Sequence, residues 1–399
     1  MKAKMPKQQA HKPIIIVGAG PVGLSAALCL AQQGLPSVVV EAQHDISHEG
    51  SKAVVIQRRT MEIFESAAPG VGTKIRQAGI TWNTKRTYFR DKLMFSETYA
   101  DTTAEALPPF VNLPQTETDR LLLQAARSLY PKLIDFRFNF RVVSLAQDDN
   151  AVHITSTNSE ILTGAYLVAC DGAHSTVRKQ LRVKLEGKSS ANRFLITDIA
   201  AKLPFPRERR FYYDPSSNRN RQILIMPQPN NVWRIDWQVG PEVTLESEQQ
   251  GNLDRRIQAI IGDIPYEIVW SSLYRFHNLV AETFRNKRVF LAGDAAHLMS
   301  PFGGRGMNSG VADAEFIARL LGDVLVRQKP LSVLDYYNNE RRAVALQNIA
   351  ATSRALRTME PPTRAHLLLR NLTLCAARYL PRLRRFVDSG PYAMSQRIS

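Results

Sequence analysis

The chain has 399 residues, 44% of them apolar, enough for two domains or one large two-part unit with ample core. It contains no run of about 18 uncharged apolar residues. Its basic start, MKAKMPKQQAHK, leads into an apolar run of only a strand's length (Ile14 to Val17), so neither a transmembrane helix nor a secretory signal peptide is expected. Lysine and arginine number 52 against 36 acidic residues, a net charge of +16. With no zinc-finger spacing and no RNA-recognition signature, that excess points to anionic cofactors and substrates rather than to nucleic acid. Cys29, Cys170 and Cys375 are odd in number and far apart, which argues against a disulfide framework or a metal site and fits a reducing cytoplasm. All three lie in apolar context and read as buried thiols.

Ile14 to Val17 form a β-branched run entering Gly18-Ala19-Gly20-Pro21-Val22-Gly23. An alanine- and leucine-rich segment then predicts a helix to Gln33, ended by Gly34, and Ser37 to Val40 a second strand ending at Glu41-Ala42. A lone GxGxxG is weak. Here it has the strand before it, the helix after it and an acid about 20 residues on, which together specify a dinucleotide site without separating NAD from FAD. The glycines serve a tight turn, close approach of the pyrophosphate and close helix–strand packing. The helix N-terminus receives the phosphates, and Glu41 stands where a carboxylate would hold a ribose hydroxyl pair.

Between Gly79 and Pro114 short β-like pieces carry Trp82, Tyr88, Phe89 and Phe95, and a helix follows from Gln115. Asp135 to Leu145 and Ala151 to Thr157 alternate like an antiparallel pair joined at Asp148-Asp149-Asn150. Tyr166 to Cys170 read as a buried strand running into Asp171-Gly172-Ala173-His174-Ser175-Thr176-Val177-Arg178, with Ser175 placed to cap a helix. From about Lys184 to Phe284 the pattern is a mostly antiparallel sheet. After Leu320 the chain is helical and basic, broken by Pro330, Pro361-Pro362 and Pro381.

The stretch RVFLAGDAAHLMSPFGGRGMNSG is the most informative. A strand (Arg288 to Ala292) ends in Gly293-Asp294, and a loop with Gly303, Gly304 and Gly306 precedes a helix starting near Met307-Asn308. A carboxylate at a strand's carboxyl end accepts hydrogen bonds from a polyol, Gly293 permits close approach of a ligand chain, and the helix N-terminus offers free N–H groups and positive charge. A flavin needs these three things.

GAGPVG, CDGAHSTVR and LAGDAAHLMSPFGGRGMNSG, in that order, make the chain resemble the flavin-dependent aromatic hydroxylases over nearly its whole length. The resemblance implies an α/β class fold: a Rossmann-like, three-layer FAD-binding domain carrying an inserted, mostly antiparallel substrate sheet and a helical C-terminal segment. The divisions expected are 1–183 and 285–330 for the FAD-binding domain (with 80–114 contributing to the substrate side), 184–284 for the substrate domain and 331–399 for the helical segment. It implies FAD as cofactor, NAD(P)H as co-substrate, and insertion of one atom of O₂ into an aromatic ring through a flavin C4a-hydroperoxide. By this match Gly18, Ala19, Gly20, Pro21, Val22, Gly23, Glu41 and Ala42 hold the ADP half of FAD, and Val143 is a further cofactor-binding position. Gln115 contacts the flavin side, and Asp171, Gly172 and Arg178 serve FAD and NAD(P)H. Gly293 and Asp294 bind the ribityl chain, while Pro301, Gly304, Gly306, Met307 and Asn308 surround the isoalloxazine.

Three departures from the family pattern stand out. Lys52-Ala53 replaces a common Arg-Ala pair and loses bidentate geometry. Arg305 stands where glutamine is frequent and adds charge beside the flavin loop. Relatives of the phenylpropionate type often carry a thioredoxin-like domain beyond the point where this sequence stops. For the substrate, Tyr212, Arg221, Trp237, His277 and Pro301 are candidates, with Arg221 the anchor for a carboxylate. No catalytic base is identified, and His174 and His297 read as structural. Two alternatives stand beside the hydroxylase reading. One is the same fold acting on a lipophilic (polyprenyl or polyketide-like) substrate near a membrane, which the basic, partly amphipathic stretch Arg364 to Arg385 would permit; otherwise that stretch is a solvated face packed on the flavin domain. The other is a non-catalytic flavin-binding redox or interaction protein. A homodimer is compatible with all three.

Overall fold

The structure is a computed structural model, and it describes residues 12–46, 53–99, 107–301 and 303–387. Ile14–Val17, Ser37–Val40 and Leu167–Ala169 are buried along their whole length, as strands covered on both faces must be. They lie parallel in a six-stranded sheet whose order is Arg285–Asn286, Val289–Leu291, Leu167–Ala169, Ile14–Val17, Ser37–Val40, Ile134–Arg137; only the first of these strands runs antiparallel. The helices Pro21–Gln32, Gln115–Leu129 and Arg305–Leu325 bury apolar faces in the same core.

Asp135 to Leu145 is two strands, not one. Ile134–Arg137 joins the parallel sheet beside Ser37–Val40, and Val142–Gln147 pairs antiparallel with Val152–Ser156 in a separate three-stranded sheet. Asn139, held at φ +59°, breaks the run between them.

A second large sheet has eight strands in the order His297–Leu298, Glu267–Ala281, Leu185–Ala200, Val232–Val239, Gln222–Pro227, Arg209–Tyr213, Thr84–Phe89, Lys92–Thr98. Strict alternation along Val232–Val239 divides its faces. Trp233, Ile235, Trp237 and Val239 point one way into a core closed by the helix Leu253–Ile261. Arg234, Asp236 and Gln238 point the other way. That second face, called inner below, also carries Phe194, Ile196, Phe211, Tyr213, Leu224, Trp270, Tyr274 and Phe276, and is covered at one end by Ala355, Met359, Leu374, Ala377 and Val387. The segment Arg364–Ala377 thus packs on the eight-stranded sheet and not on the flavin-motif sheet, contrary to expectation. Cys29 is buried and Cys170 partly so, but Cys375 is exposed because it lies on the outer side of that helix.

Candidate active site

Two glycines of the first motif are fixed by packing and one faces open space. A Cβ at Gly18 (φ +103°) would stand 2.5 Å from the Cys170 carbonyl oxygen, and one at Gly23 would stand 1.9 Å from the Gly18 carbonyl oxygen. A Cβ at Gly20 meets nothing within 4 Å. Gly20 is also the N-cap of the helix Pro21–Gln32, which has no acid in its first turn, so the free N–H groups and positive helix end face a clear space. Pro21 at the first helical position forfeits no hydrogen bond. Glu41 braces the loop, its carboxylate accepting from the N–H groups of Ala19 (2.9 Å) and Gln43 (3.0 Å). Ala42 is half-buried beside it.

The three motifs pack against one another. Val22 fills the space beside Gly293 and Gly310: a Cβ on Gly293 would lie 2.9 Å, and one on Gly310 2.6 Å, from a Val22 methyl. Arg178 donates to the carbonyl oxygens of Ala173 (2.9 Å) and Ala295 (3.0 Å), joining the second motif to the third. Asp171 accepts from the Ser175 hydroxyl (2.6 Å) and the Val177 N–H (3.1 Å), and Ser175 caps the helix Thr176–Gln180. Burial raises the Asp171 pKa against these bonds. Gly172, at φ +75°, faces open space. An Arg178→Met variant leaves two carbonyls without this partner, and a loss of about 2–6 kcal/mol is expected. Thermal melting of the flavin-free protein measures it.

Gly293 (φ +59°) turns the chain so that Asp294 faces the third loop. A Cβ on Gly306 would have one neighbour within 4 Å, Asp294 Oδ1 at 3.9 Å, so the Gly306 backbone presents no side chain of its own to that carboxylate. Tyr274, on the inner face of the large sheet, borders the same carboxylate; burial first, then the Asp294 charge, pushes its phenol up to about 12. The helix begins at Arg305, two residues earlier than the sequence suggested. The N–H groups without an acceptor inside the helix are therefore those of its first turn, Arg305, Gly306 and Met307, while the Asn308 N–H falls where that turn closes. The Asn308 side chain locks the loop instead: it accepts from Gln57 N–H (2.9 Å) and Thr60 hydroxyl (2.6 Å) and donates to the Val55 carbonyl (2.9 Å). Arg305 turns its guanidinium away to Asn348, and burial then the Arg354 charge lower its pKa to about 10.

A buried network missed in the sequence sets the Gly293 turn. Asp313 accepts from Gly293 N–H (3.1 Å), His297 Nε2 (2.7 Å) and Arg341 Nε (2.7 Å). Burial raises its pKa, but Arg341 and His297 outweigh that and hold the carboxyl below its ordinary value. The signal available in the sequence was an acid inside an otherwise apolar helix face, Val311 to Leu321.

These observations test whether FAD fits. Gly20 and Gly172 face open space and a Cβ on Gly306 would meet only Asp294 Oδ1, the helix ends at Pro21 and Arg305 supply positive charge, and Glu41 and Asp294 supply acceptors. The residues fit an adenine dinucleotide at one end and a polyol-linked flavin at the other. The remaining positions expected to touch cofactor are less telling. Gln115 opens its helix and lies 3.5 Å from Asp119, Ala53 is half-buried, Pro301 is exposed, and Val143 is exposed with its carbonyl taken by Gln180. Lys52 lies outside the described residues.

The substrate candidates are not brought together. Trp237 is fully buried on the outer face of the sheet, so it is a core residue and the expectation of substrate contact is corrected. Tyr212 packs against the same outer core, stacked on Tyr88 at 4.4 Å. Arg221 precedes the strand Gln222–Pro227 at the end away from Asn112, which bonds Pro227; it lies 3.9 Å from Glu242 beside a surface pocket of about 540 Å³ that Pro361 and Pro362 also line. His277 bonds Ser189 (2.7 Å).

The inner face instead carries a polar group that sequence reasoning did not single out. Arg234 grips Asp198 with two bonds (2.9 and 2.8 Å), Gln228 adds a third (2.7 Å), and the Arg234 guanidinium lies over Trp270 at 5.7 Å. Two residues along the same strand, half-buried Asp236 has an Oδ1 that is out of solvent and without a hydrogen-bond partner. Burial, then the Asp198 charge, push its pKa up to about 7 despite Arg234 and Arg209. By register Asp236 opposes Ile196, which opposes Ser272, two residues before Tyr274. The backbone positions of Asp236 and Tyr274 thus lie roughly 12 Å apart across the sheet, from strand spacing and rise.

The fold and these loops define a flavin-binding oxidoreductase. Residues 11–352 match the family model described as FAD binding domain. The chain is 29% identical over 378 residues to a 3-(3-hydroxy-phenyl)propionate/3-hydroxycinnamic acid hydroxylase of Escherichia coli, covering 94% of this chain and 67% of that protein. It is 29% identical over 357 residues to the para-nitrophenol 4-monooxygenase of Pseudomonas sp. strain WBC-3 (86% and 85% covered). The crystal structure of p-nitrophenol 4-monooxygenase from Pseudomonas putida superposes with a TM-score of 0.82 at 26% identity, covering 94% of this chain and 96% of that one. The chain belongs to the FAD-binding-domain family and, within it, to the flavin-dependent aromatic hydroxylases.

Proposed function

We propose that the protein is a monooxygenase that binds FAD, uses NAD(P)H and O₂, and hydroxylates a phenolic substrate held against the inner face of the eight-stranded sheet. The observation that carries this reading is that Tyr274, on the inner face, borders Asp294 of the third loop, while the same face holds the buried, unpartnered Oδ1 of Asp236. Bound FAD supplies the activation of O₂ and the delivery of one oxygen atom to the ring. The chain supplies the rest. Gly20 and the Pro21 helix end would hold the pyrophosphate, Asp294 the ribityl hydroxyls, and the N–H groups of Arg305, Gly306 and Met307 the negative charge of the reduced ring. Leu224, Ile196, Trp270 and Tyr274 would form the apolar seat for an aromatic ring and keep water out.

Asp236 would accept the proton of the substrate hydroxyl, which makes the ring more electron-rich. A carboxylate near 7 is matched to that transfer at neutral pH. Asp236→Asn is expected to lower kcat on a weakly acidic phenol about 10²-fold or more. It should also remove the limb of the kcat/KM profile that rises near pH 7. A phenol acidic enough to enter already ionised should recover most of the loss. A uniform loss across phenols of all acidities would mean that Asp236 is only structural. The wider test is NAD(P)H oxidation with a panel of phenols, scoring hydroxylated product against H₂O₂: stimulation with product supports the reading, and stimulation by none of them counts against it.

A further inference from the structure

The most apolar side of the helix Arg364–Ala377 faces outward. Ala365, Leu368, Leu369, Leu372 and Ala376 fall within an arc of about 100° at helical spacing, and Leu368, Leu369 and Leu372 are 61%, 63% and 59% exposed. The opposite side carries Leu374 and Ala377 and buries a charge: Arg370 donates to the Met359 carbonyl (3.3 Å) and lies over the Tyr213 ring at 5.3 Å. A helix that only had to close the sheet would not leave three leucines exposed while burying an arginine. Tyr379, Leu380 and Phe386, later in the same segment, are exposed as well.

We propose that this face is a docking surface for an anionic phospholipid membrane, lying on the bilayer rather than across it. Among the described residues no helix is long and apolar enough to cross a membrane. Charge selects the occupant. From Arg364 to Phe386 there are six arginines and no aspartate or glutamate. Arg364, Arg378, Arg382 and Arg385 are exposed along the same segment, and Arg378 and Arg385 lie against the exposed rings of Tyr379 and Phe386 (5.7 and 4.8 Å). A two-fold contact with a second copy would set these arginines against each other with no acid in the segment to answer them. An anionic lipid surface answers the exposed arginines of the segment, while the leucines and aromatic rings enter the headgroup boundary. The surface is separate from the catalytic reading and does not depend on it.

The test is flotation of the FAD-loaded full chain with vesicles of phosphatidylcholine alone and of phosphatidylcholine mixed with phosphatidylglycerol. Binding is expected only to the mixed vesicles, falling steeply with added salt. Each basic residue near such a surface is worth about five-fold in partitioning, so the double variant Arg378→Glu with Arg382→Glu should bind at least about 25-fold more weakly. Leu369→Ser with Leu372→Ser should also lose binding. These side chains are exposed, so both variants should keep the flavin absorbance and melting temperature of the unchanged protein. The proposal is overturned if the unchanged protein stays off the mixed vesicles at low salt, or if both variants float as it does. A dimer that the leucine variant dissociates, with no flotation, would also overturn it and make the face a protein contact.

Discussion

Gly20→Val should yield a folded protein that purifies without FAD, whereas Gly23→Ala should fail to fold or melt far below the unchanged chain. The two glycines are three residues apart in one motif, yet their surroundings are opposite. At Gly23 the added methyl would sit 1.9 Å from a carbonyl oxygen that belongs to Gly18, itself pinned against Cys170. Backbone on both sides leaves no flexible neighbour to yield, and overpacking of this severity lies at or beyond the upper end of the usual 1–3 kcal/mol. At Gly20 nothing stands within 4 Å, so a valine costs the empty fold little and occupies the space over the helix N-terminus where the pyrophosphate would lie. Visible flavin absorbance and the thermal melt separate the two effects. Unchanged FAD binding in Gly20→Val would mean that the phosphates lie elsewhere.

Asp313→Asn should destabilise the protein by about 3–5 kcal/mol, as removal of one partner from a buried charge network does. For a chain of this length that is a fall in Tm on the order of 5 °C. The variant should also weaken FAD binding, because Asp313 holds the Gly293 N–H and thereby aims Asp294. A pH dependence follows with a definite sign. The folded-state pKa of Asp313 lies below its ordinary value, so its stabilisation is present above that value and is lost as pH falls through the folded one. The unchanged protein should therefore lose stability below about pH 4 more steeply than Asp313→Asn does. Equal slopes for the two would remove Asp313 from the acid limb. Arg341→Met reports the other side of the same network.

Much of the flavin-motif half was legible because its constraints are local. A buried strand, a tight glycine turn and a helix start occupy consecutive residues, so Ile14 to Gln32 could be read without knowing what packs on it. Ser175 as a cap was readable for the same reason. What escaped depends on contacts far apart in sequence. The parallel pairing of Ile134–Arg137 with Ser37–Val40 spans about a hundred residues, and nothing near Asp135 announces it. Trp237 and Asp236 are neighbours in sequence on opposite faces of a sheet, and only the packing of Leu253–Ile261 decides which face is core. Aromatic and basic residues in a β-rich stretch therefore marked the substrate region but not the residues facing it. The Asp313 network joins a helix, a turn and a residue from a third element. The outward leucines of Arg364–Ala377 misled for a related reason, since periodicity gives a stripe its spacing but not its direction.

The most direct test of the hydroxylase reading is turnover of a stimulating phenol under ¹⁸O₂ with NADPH and the FAD-loaded protein, followed by mass spectrometry of the product. Hydroxylation by this route places one ¹⁸O atom in the new hydroxyl group. NADPH consumption that ends only in labelled H₂O₂, or a product whose added oxygen comes from water, would contradict it.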